Sequence, residues 1–409
     1  MKERIILHCD LNNFYASVEC ELNPTLKGQA LAVSGNPEKR HGVVLAKNEI
    51  AKKQGVKTGD TIWQAREKCP DIIFVPPHFD MYSMFSKQVF DIYSKYTCYV
   101  EPFGPDECWL DVTGSVNLFG SGEEIAEQIR QRVKKETGLT ISIGVSFNKV
   151  FAKIGSDMKK PDAITIITKE NFKDKLWGMP AGDMLMVGRK TTEKLKKLNI
   201  HTIGELANAD DDVLDYHFGI NGRKMKENAL GLDNEPVREY VKSRKIESVG
   251  HGMTAVRDLK TEEDVNTMLC YLADLVATRL RKYGFKGYGV HLDLRSNELL
   301  HKTKQCKLGF ATQTAAEIVK ACNKMCKEIW TEGKPLRTIS ISVFDLVPDT
   351  NAEQTSLFEK EDKKKEKMEK AIDQIRKKYG KNKIMLANMQ CNDFIYDKTD
   401  DEDFLPFKR

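Results

Sequence analysis

At 409 residues, 40% of them hydrophobic, the chain is long enough for several buried cores and too long for a single ordinary one. A formal net charge of only +5 in a chain that is 31% charged means that acids and bases are heavily mixed, so any nucleic-acid-binding face must be local. The ten cysteines form no CxxC pair, and Cys322 and Cys326, one helical turn apart, lack a nearby His, so buried thiols are expected in place of disulfides or zinc.

Charge at Lys2, Glu3 and Arg4 precedes one short apolar run, too short for a signal or membrane segment, which predicts a soluble, cytoplasmic protein. That run, Ile5-Ile6-Leu7-His8-Cys9, reads as a buried strand delivering Asp10 at its C-terminal end. Helical spacing over Phe14–Leu22 stops before Pro24, and Gln29–Ser34 reads as a strand. Glu49–Gln54 and Thr61–Lys68 are expected as short helices. From Tyr82 to Tyr96 the apolar Met84, Phe85, Val89, Ile92 and Tyr93 share one face, which predicts an amphipathic helix on a sheet. Tyr99–Phe103 and Cys108–Val112 read as strands, and Gly104-Pro105-Asp106-Glu107 between them makes a hairpin with an acidic apex. Helix Glu123–Thr137, strand Thr140–Ser146 and helix Val150–Met158 complete an α+β sheet layer.

Lys173–Ala209 reads as a small helical domain punctuated by Gly188 and Gly204. After the polar stretch Asn234–Arg244, the order over Ser248–Val347 is strand, helix, strand, strand, helix, strand, the split βαβ pattern. Residues 237–348 hold 19 Lys and Arg against 13 Asp and Glu, so the positive balance concentrates there. Beyond Pro348 a polar tail is expected, with the mixed charge run Lys360–Lys370 solvated and a short helix from the stripe Met368, Ile372, Ile375 and Tyr379. Phe394, Tyr396, Phe404 and Phe407, set among acids, form a candidate docking segment.

Two adjacent acids at a hairpin and a third at a neighbouring strand end can gather around hard cations, for which Mg²⁺ is the natural occupant. Read alone, Asp106 and Glu107 are better explained as solvated turn acids, and it is the strand-end Asp10 that favours a site. The run Asp10-Leu11-Asn12-Asn13-Phe14-Tyr15-Ala16-Ser17-Val18-Glu19 resembles the opening motif of the bacterial Y-family, lesion-bypass DNA polymerases of the DNA polymerase IV kind. Asp106-Glu107-Cys108-Trp109-Leu110-Asp111 resembles the second motif of that family. Ser142-Ile143-Gly144-Val145-Ser146, Asn148-Lys149, Ala152-Lys153 and Asp157-Met158-Lys159-Lys160-Pro161 resemble the third, and the likeness runs from residue 4 to about 348.

The resemblance implies a multidomain right-hand polymerase with an α+β palm sheet, small fingers, a helical thumb, a split-βαβ little finger and a flexible C-terminal tail. It implies palm at 1–10 and 78–166, fingers at 11–77, thumb at 167–236, linker at 237–244, little finger at 245–348 and tail at 349–409. Two Mg²⁺ ions, with Mn²⁺ as a substitute, would be held by Asp10, Asp106, Glu107 and the Leu11 carbonyl. Nucleotide would be met by Asn13, Phe14, Lys52, Lys160 and Tyr15, the last a steric gate against a ribose 2′-hydroxyl. Where the family often has Thr, Tyr and Arg at the triphosphate, this chain reads Ala46, Glu49 and Lys52, and Lys52 lacks the fork of arginine. Glu49 is left out of the expected site because its charge would repel phosphate.

Gly188, Arg189 and Lys190 resemble part of a helix-hairpin-helix turn that offers N–H groups to a DNA phosphate, with Met186 where glycine is usual. Gln354-Thr355-Ser356-Leu357-Phe358 resembles the pentapeptide that docks on the bacterial sliding clamp, its β subunit, through Gln354, Leu357 and Phe358. The implied partners are primer-template DNA, dNTPs and the clamp, with no membrane and a monomeric chain. The alternatives are a catalytically silent DNA-bound adaptor recruited by the clamp peptide and a nucleotide cyclase with a similar acidic hairpin.

Overall fold

The computed structural model describes residues 3–36, 40, 42–239, 246–350, 363–380, 383–385 and 393–395. Contacts divide the chain into two units, one built on Met1–Gly35 and Val43–Ser243 and the other on Asn36–Gly42 and Arg244–Glu402.

The first unit is organised on a five-stranded sheet in the order Val100–Pro102, Glu107–Asp111, Ile6–Leu11, Ile141–Ser146, Ile164–Ile166. Ile6–Leu11 is buried at every residue and antiparallel to both neighbours. Alternation along a strand then separates two faces. Leu7, Cys9 and Leu11 join a core with Val89, Ile92, Tyr93, Ile125 and Ile129, from the helices Phe79–Tyr93 and Gly122–Thr137. On the other face Ile6 packs with Trp109 and Ala152, and His8 and Asp10 meet the helix Lys149–Met158.

That helix lies unusually close to the sheet because glycine faces glycine. A Cβ on Gly144 would sit 1.9 Å from the Ala152 carbonyl oxygen, and one on Gly155 would sit 3.1 Å from Gly144 Cα. Asn148 caps the helix by accepting the Phe151 N–H at 2.7 Å, and the Trp109 indole donates to the Lys149 carbonyl at 2.9 Å. Val237, the first residue of the expected linker, is buried against this same face, and the Arg238 N–H donates to Glu101 at 3.0 Å.

A small three-stranded sheet, Val44–Lys47, Leu31–Ser34 and Ile73–Val75, carries the helices Glu49–Lys53 and Ile62–Lys68, the second opened by a Thr61–Gln64 capping box. Short helices between Phe172 and Ala229 surround a core of Leu176, Leu195, Ile203, Leu206 and Leu214.

The second unit holds an antiparallel four-stranded sheet in the order His301–Thr312, Phe285–Ser296, Leu336–Pro348, Ser248–Leu259. The helices Glu262–Tyr283 and Ala315–Ile329 cover one face, as the split βαβ pattern predicts. The mixed α/β architecture is that expected of the right-hand polymerase.

Several local expectations need correction. Val89, Ile92 and Tyr93 are buried as expected, but Met84 is 42% exposed and Tyr82, Ser86 and Phe90 complete the buried face in its place, because the helix begins at Phe79. The strands Val44–Lys47, Ile73–Val75 and Ile164–Ile166 and the helices Asp211–Phe218 and Ile220–Ala229 were not expected. The tail helix spans Lys363–Tyr379, and its charged face docks: Glu369 is buried beside Arg281, whereas Met368 and Tyr379 on the apolar stripe are exposed. Phe394 is buried in the second unit's core, and its carbonyl accepts the Val256 N–H at 3.1 Å, so it is not a free docking residue. None of the nine described cysteines forms a disulfide, and Cys9 and Cys108 are buried as expected.

Candidate active site

The antiparallel register sets Asp10 opposite Glu107, so the two carboxylates leave the same face of adjacent strands. Asp106 precedes Glu107 at the turn, and the Leu11 N–H donates to the Asp106 carbonyl at 3.0 Å, tying strand end to hairpin. Asn12 fixes the third edge: its amide donates to Ser142 Oγ at 2.9 Å and its Oδ1 accepts the Asp162 N–H at 2.8 Å.

Two lysines stand among these acids. Lys153 Nζ lies 2.8 Å from Glu107 Oε2, 3.5 Å from Asp10 and 3.4 Å from Asp157. Lys160 Nζ lies 2.8 Å from both Asp10 and Asp157. Burial opposes the charge on Lys160, but Asp10 and Asp157 hold its pKa above the usual lysine range. Burial lifts the Asp10 carboxyl while Lys160 pulls it down. Burial first, then the charges of Glu107 and Asp10, push Asp106 up to about 6. Glu107 goes the other way, to about 2, because donors at His8 and Lys153 outweigh its burial.

Among the described residues no three His, Cys, Asp or Glu side chains are already closed around one point, since the ammonium groups of Lys153 and Lys160 fill the space between the acids. The residues nevertheless fit a divalent cation. The set is all carboxylate oxygen, the choice of a hard ion, with Asp10 paired to Glu107 across the strands and Asp106 beside Glu107 at the turn.

Tyr15 stacks on Tyr82 with centroids 4.2 Å apart and planes 11° from parallel, and Phe79 meets both rings edge-on. The Tyr82 hydroxyl donates to buried Glu19, to which His78 Nδ1 approaches within 2.9 Å, so the platform beneath Tyr15 is anchored. Burial, and after it the Asp106 charge, raise the Tyr15 pKa.

The other expected contacts divide. Phe14 is 3% exposed in the main core, so its side chain is not open to a ligand. Asn13, left-handed at φ 50°, donates to Glu49 Oε1 at 3.1 Å, and Lys52 Nζ meets that oxygen at 3.2 Å. Glu49, left out of the expected site, therefore joins two residues assigned to it. Gly188 caps the helix Arg189–Lys197, with Arg189 and Lys190 exposed, and Met186 adopts the left-handed φ of 71° that glycine usually supplies. Gln354, Leu357 and Phe358 lie outside the described residues.

Three site residues carried no role in the sequence: His8, Ser156 and Lys153. His8 read as one more member of an apolar run. It is fully buried, with Nδ1 2.8 Å from Ser156 Oγ and Nε2 3.5 Å from Glu107 Oε2, and burial lowers its pKa to about 4. A usable signal did exist for Lys153: with Asp157 and Lys160 it forms an i, i+4, i+7 stripe of alternating charge.

Comparison with known proteins defines the class. The impB/mucB/samB family model matches residues 9–157, and the model for that family's C-terminal domain matches residues 246–357. DNA polymerase IV of Acetivibrio thermocellus is 44% identical over 92% of this chain and 95% of its own, and DNA polymerase IV of Moorella thermoacetica is 37% identical over 93% and 95%. A solved Y-family DNA polymerase chimera superposes with a TM-score of 0.75 at 24% identity, covering 84% of this chain and 99% of that one. The chain belongs to the impB/mucB/samB family, the Y-family DNA polymerases, and is a DNA-directed DNA polymerase that depends on divalent metal. Within that class it is of the bacterial DNA polymerase IV kind. No helix among the described residues is long and apolar enough to cross a membrane.

Proposed function

We propose that the chain carries out low-fidelity, template-directed synthesis past DNA lesions, moving a nucleotidyl group from a dNTP to a primer 3′-hydroxyl at Asp10, Asp106 and Glu107. The observation that carries this reading is the pairing of Asp10 with Glu107 across the sheet, with Asp106 next to Glu107 and tied to the strand end through the Leu11 N–H, three carboxylates at one place in the fold. Two Mg²⁺ ions, or Mn²⁺ in their place, held by the three carboxylates and the Leu11 carbonyl, would supply Lewis acidity to the primer hydroxyl and the triphosphate. Lys160 neutralises phosphate charge, and Lys52 adds a point charge steadied by Glu49. Tyr15, held flat on Tyr82, closes the space that a ribose 2′-hydroxyl needs.

The palm, fingers, thumb and little finger implied by the family resemblance go with this function, and the helix Lys363–Tyr379 belongs with the second unit. Exposed Gly188, Arg189 and Lys190 meet template or primer phosphate, and the basic second unit follows duplex backbone. We place the enzyme in the cytoplasm as a monomer on primer-template DNA, recruited by the sliding clamp through residues 354–358.

Primer extension with Mg²⁺ tests the mechanism. The Asp106→Ala, Glu107→Ala double variant is expected to lose extension by orders of magnitude, and equal extension by variant and wild type would overturn it. In the same assay Tyr15→Ala should incorporate ribonucleotides more readily than wild type. Leu357→Ala with Phe358→Ala should abolish retention on immobilised clamp and leave clamp-free extension unchanged.

A further inference from the structure

The buried histidine behind the acids has no place in the reaction as described. His8 lies on the central strand, between Trp109 on one neighbour and Gly144 on the other, with the helix Lys149–Met158 above it. Its ring is fully buried and meets Trp109 edge-on at 5.2 Å. Because Gly144 has no side chain, that helix comes close enough for Ser156 Oγ to reach His8 Nδ1 at 2.8 Å. On its other side Nε2 lies 3.5 Å from Glu107 Oε2, and both atoms are shut off from solvent.

The hydroxyl of Ser156 has one proton and two claimants. Ser156 Oγ is 2.8 Å from His8 Nδ1 and 2.8 Å from the Lys153 carbonyl oxygen. If the proton went to the carbonyl, Nδ1 would carry the ring hydrogen and a bare Nε2 lone pair would face the Glu107 carboxylate. Two acceptors would then oppose each other in a buried site, at a cost of a few kcal/mol. If Ser156 donates to Nδ1 instead, the ring hydrogen sits on Nε2 and points at Glu107 Oε2. His8 Nε2 then gains an acceptor, and Glu107 Oε2 gains a second donor beside Lys153. Hydrogen bonds of this kind are commonly long in a ligand-free site and shorten when it is loaded.

We propose that His8 is a positioning residue: its Nε2–H, fixed in that tautomer by Ser156, holds Glu107 Oε2 from behind and turns Oε1 toward the cation. Lys153, 2.8 Å from the same Oε2, assists from the side. This rests on the reading of Glu107 as a metal ligand and extends it by assigning which oxygen binds. Outer partners of ligating groups typically set metal affinity by roughly ten- to a hundredfold.

The test uses the full chain and Mn²⁺ alone, with binding followed by electron paramagnetic resonance and folding by thermal melting. His8→Phe keeps the ring and removes the donor. His8→Gln returns an amide N–H near the Nε2 position. The expected result is a Mn²⁺ dissociation constant raised about tenfold or more in His8→Phe and largely restored in His8→Gln. Nitrogen-15 spectra of the imidazole should show the Nε2–H tautomer in wild type and its loss of uniqueness in Ser156→Ala. Unchanged Mn²⁺ affinity in a folded His8→Phe, or equal losses in the Phe and Gln variants, overturns the proposal, as does an Nδ1–H tautomer in wild type. The Asp106→Ala, Glu107→Ala variant serves as the reference: retained Mn²⁺ binding there sinks the metal site itself, whereas loss there without loss in His8→Phe sinks only the role of His8.

Discussion

With its carboxyl lifted to about 6, Asp106 keeps a proton in the metal-free protein at pH values where Glu107, held at about 2, is already ionised. A folded-state pKa above the unfolded value of 3.8 makes this group stabilising at low pH, and the contribution is lost as pH rises toward 6. Asp106→Asn, which imitates the protonated form, is therefore expected to be more stable than metal-free wild type at pH 7 by up to about 3 kcal/mol, with little difference near pH 4. Paired melting curves at the two pH values check this, and a difference that does not grow with pH would refute the assignment. Divalent-cation affinity should rise through pH 6 and level off above it, since below that point the ion competes with a proton. The acids were legible in the sequence because a strand end and a Gly-Pro turn are local features. The role of His8 was not, because its partners Ser156 and Glu107 lie 148 and 99 positions away and no local period encodes them.

At the scale of elements, the seat of the helix Lys149–Met158 decides whether Lys153 and Ser156 reach the sheet at all. Gly144→Ala drives a methyl group into the Ala152 carbonyl, a backbone atom that cannot rotate away. A loss of about 3 kcal/mol or more is expected from such overpacking, with weakened metal binding in whatever remains folded. Gly178→Ala, at a glycine with open space around it, is the control and should be near neutral. Comparable melting temperatures for the two variants would show that the helix is not seated by this contact. The helix Gly122–Thr137 was readable within a residue because its Ser121–Glu124 capping box and apolar spacing agree, and Phe14–Leu22, which no side chain caps, was readable because Pro24 follows its end. The stretch 173–209 was legible as a helical domain with a helix opening at Gly188 but not in its separate pieces, because Pro180 and the left-handed residues Met186 and Asn199 break it. Three- and four-residue strands such as Ile73–Val75 and Val44–Lys47 are too short to display a period.

At the scale of the whole chain, the second unit is completed by a helix that sequence reading left on a loose tail. Arg281, its side chain 5% exposed, bonds Asp373 and Glu369 from that helix and the Gln313 carbonyl at 2.9 Å. Arg376 returns the contact to Asp274 at 2.8 Å, and Glu369 accepts the Ala315 N–H at 3.0 Å, at the start of the helix Ala315–Ile329. Removing the acids while leaving Arg281 strands a buried charge, which typically costs about 3–5 kcal/mol. Glu369→Gln with Asp373→Asn should therefore lower the melting temperature more than the same pair combined with Arg281→Met. The reverse order would mean that the helix is not held by these charges. Residue type misled here: a lysine-rich run reads as solvated, and only the buried arginine on another helix makes its acids structural.

The docked helix also sets a distance. Residues 351–362 join Thr350, two residues past the strand Leu336–Pro348, to Lys363, so the proposed clamp peptide lies between two attachments on the same unit and not beyond a last one. A dozen residues span at most roughly 40 Å, which for a path that must return limits outward reach to roughly 20 Å, whatever conformation it takes. An enzyme moored by such a bight stays near the ring that holds it, and trimming the chain after Tyr379 would leave the mooring its length.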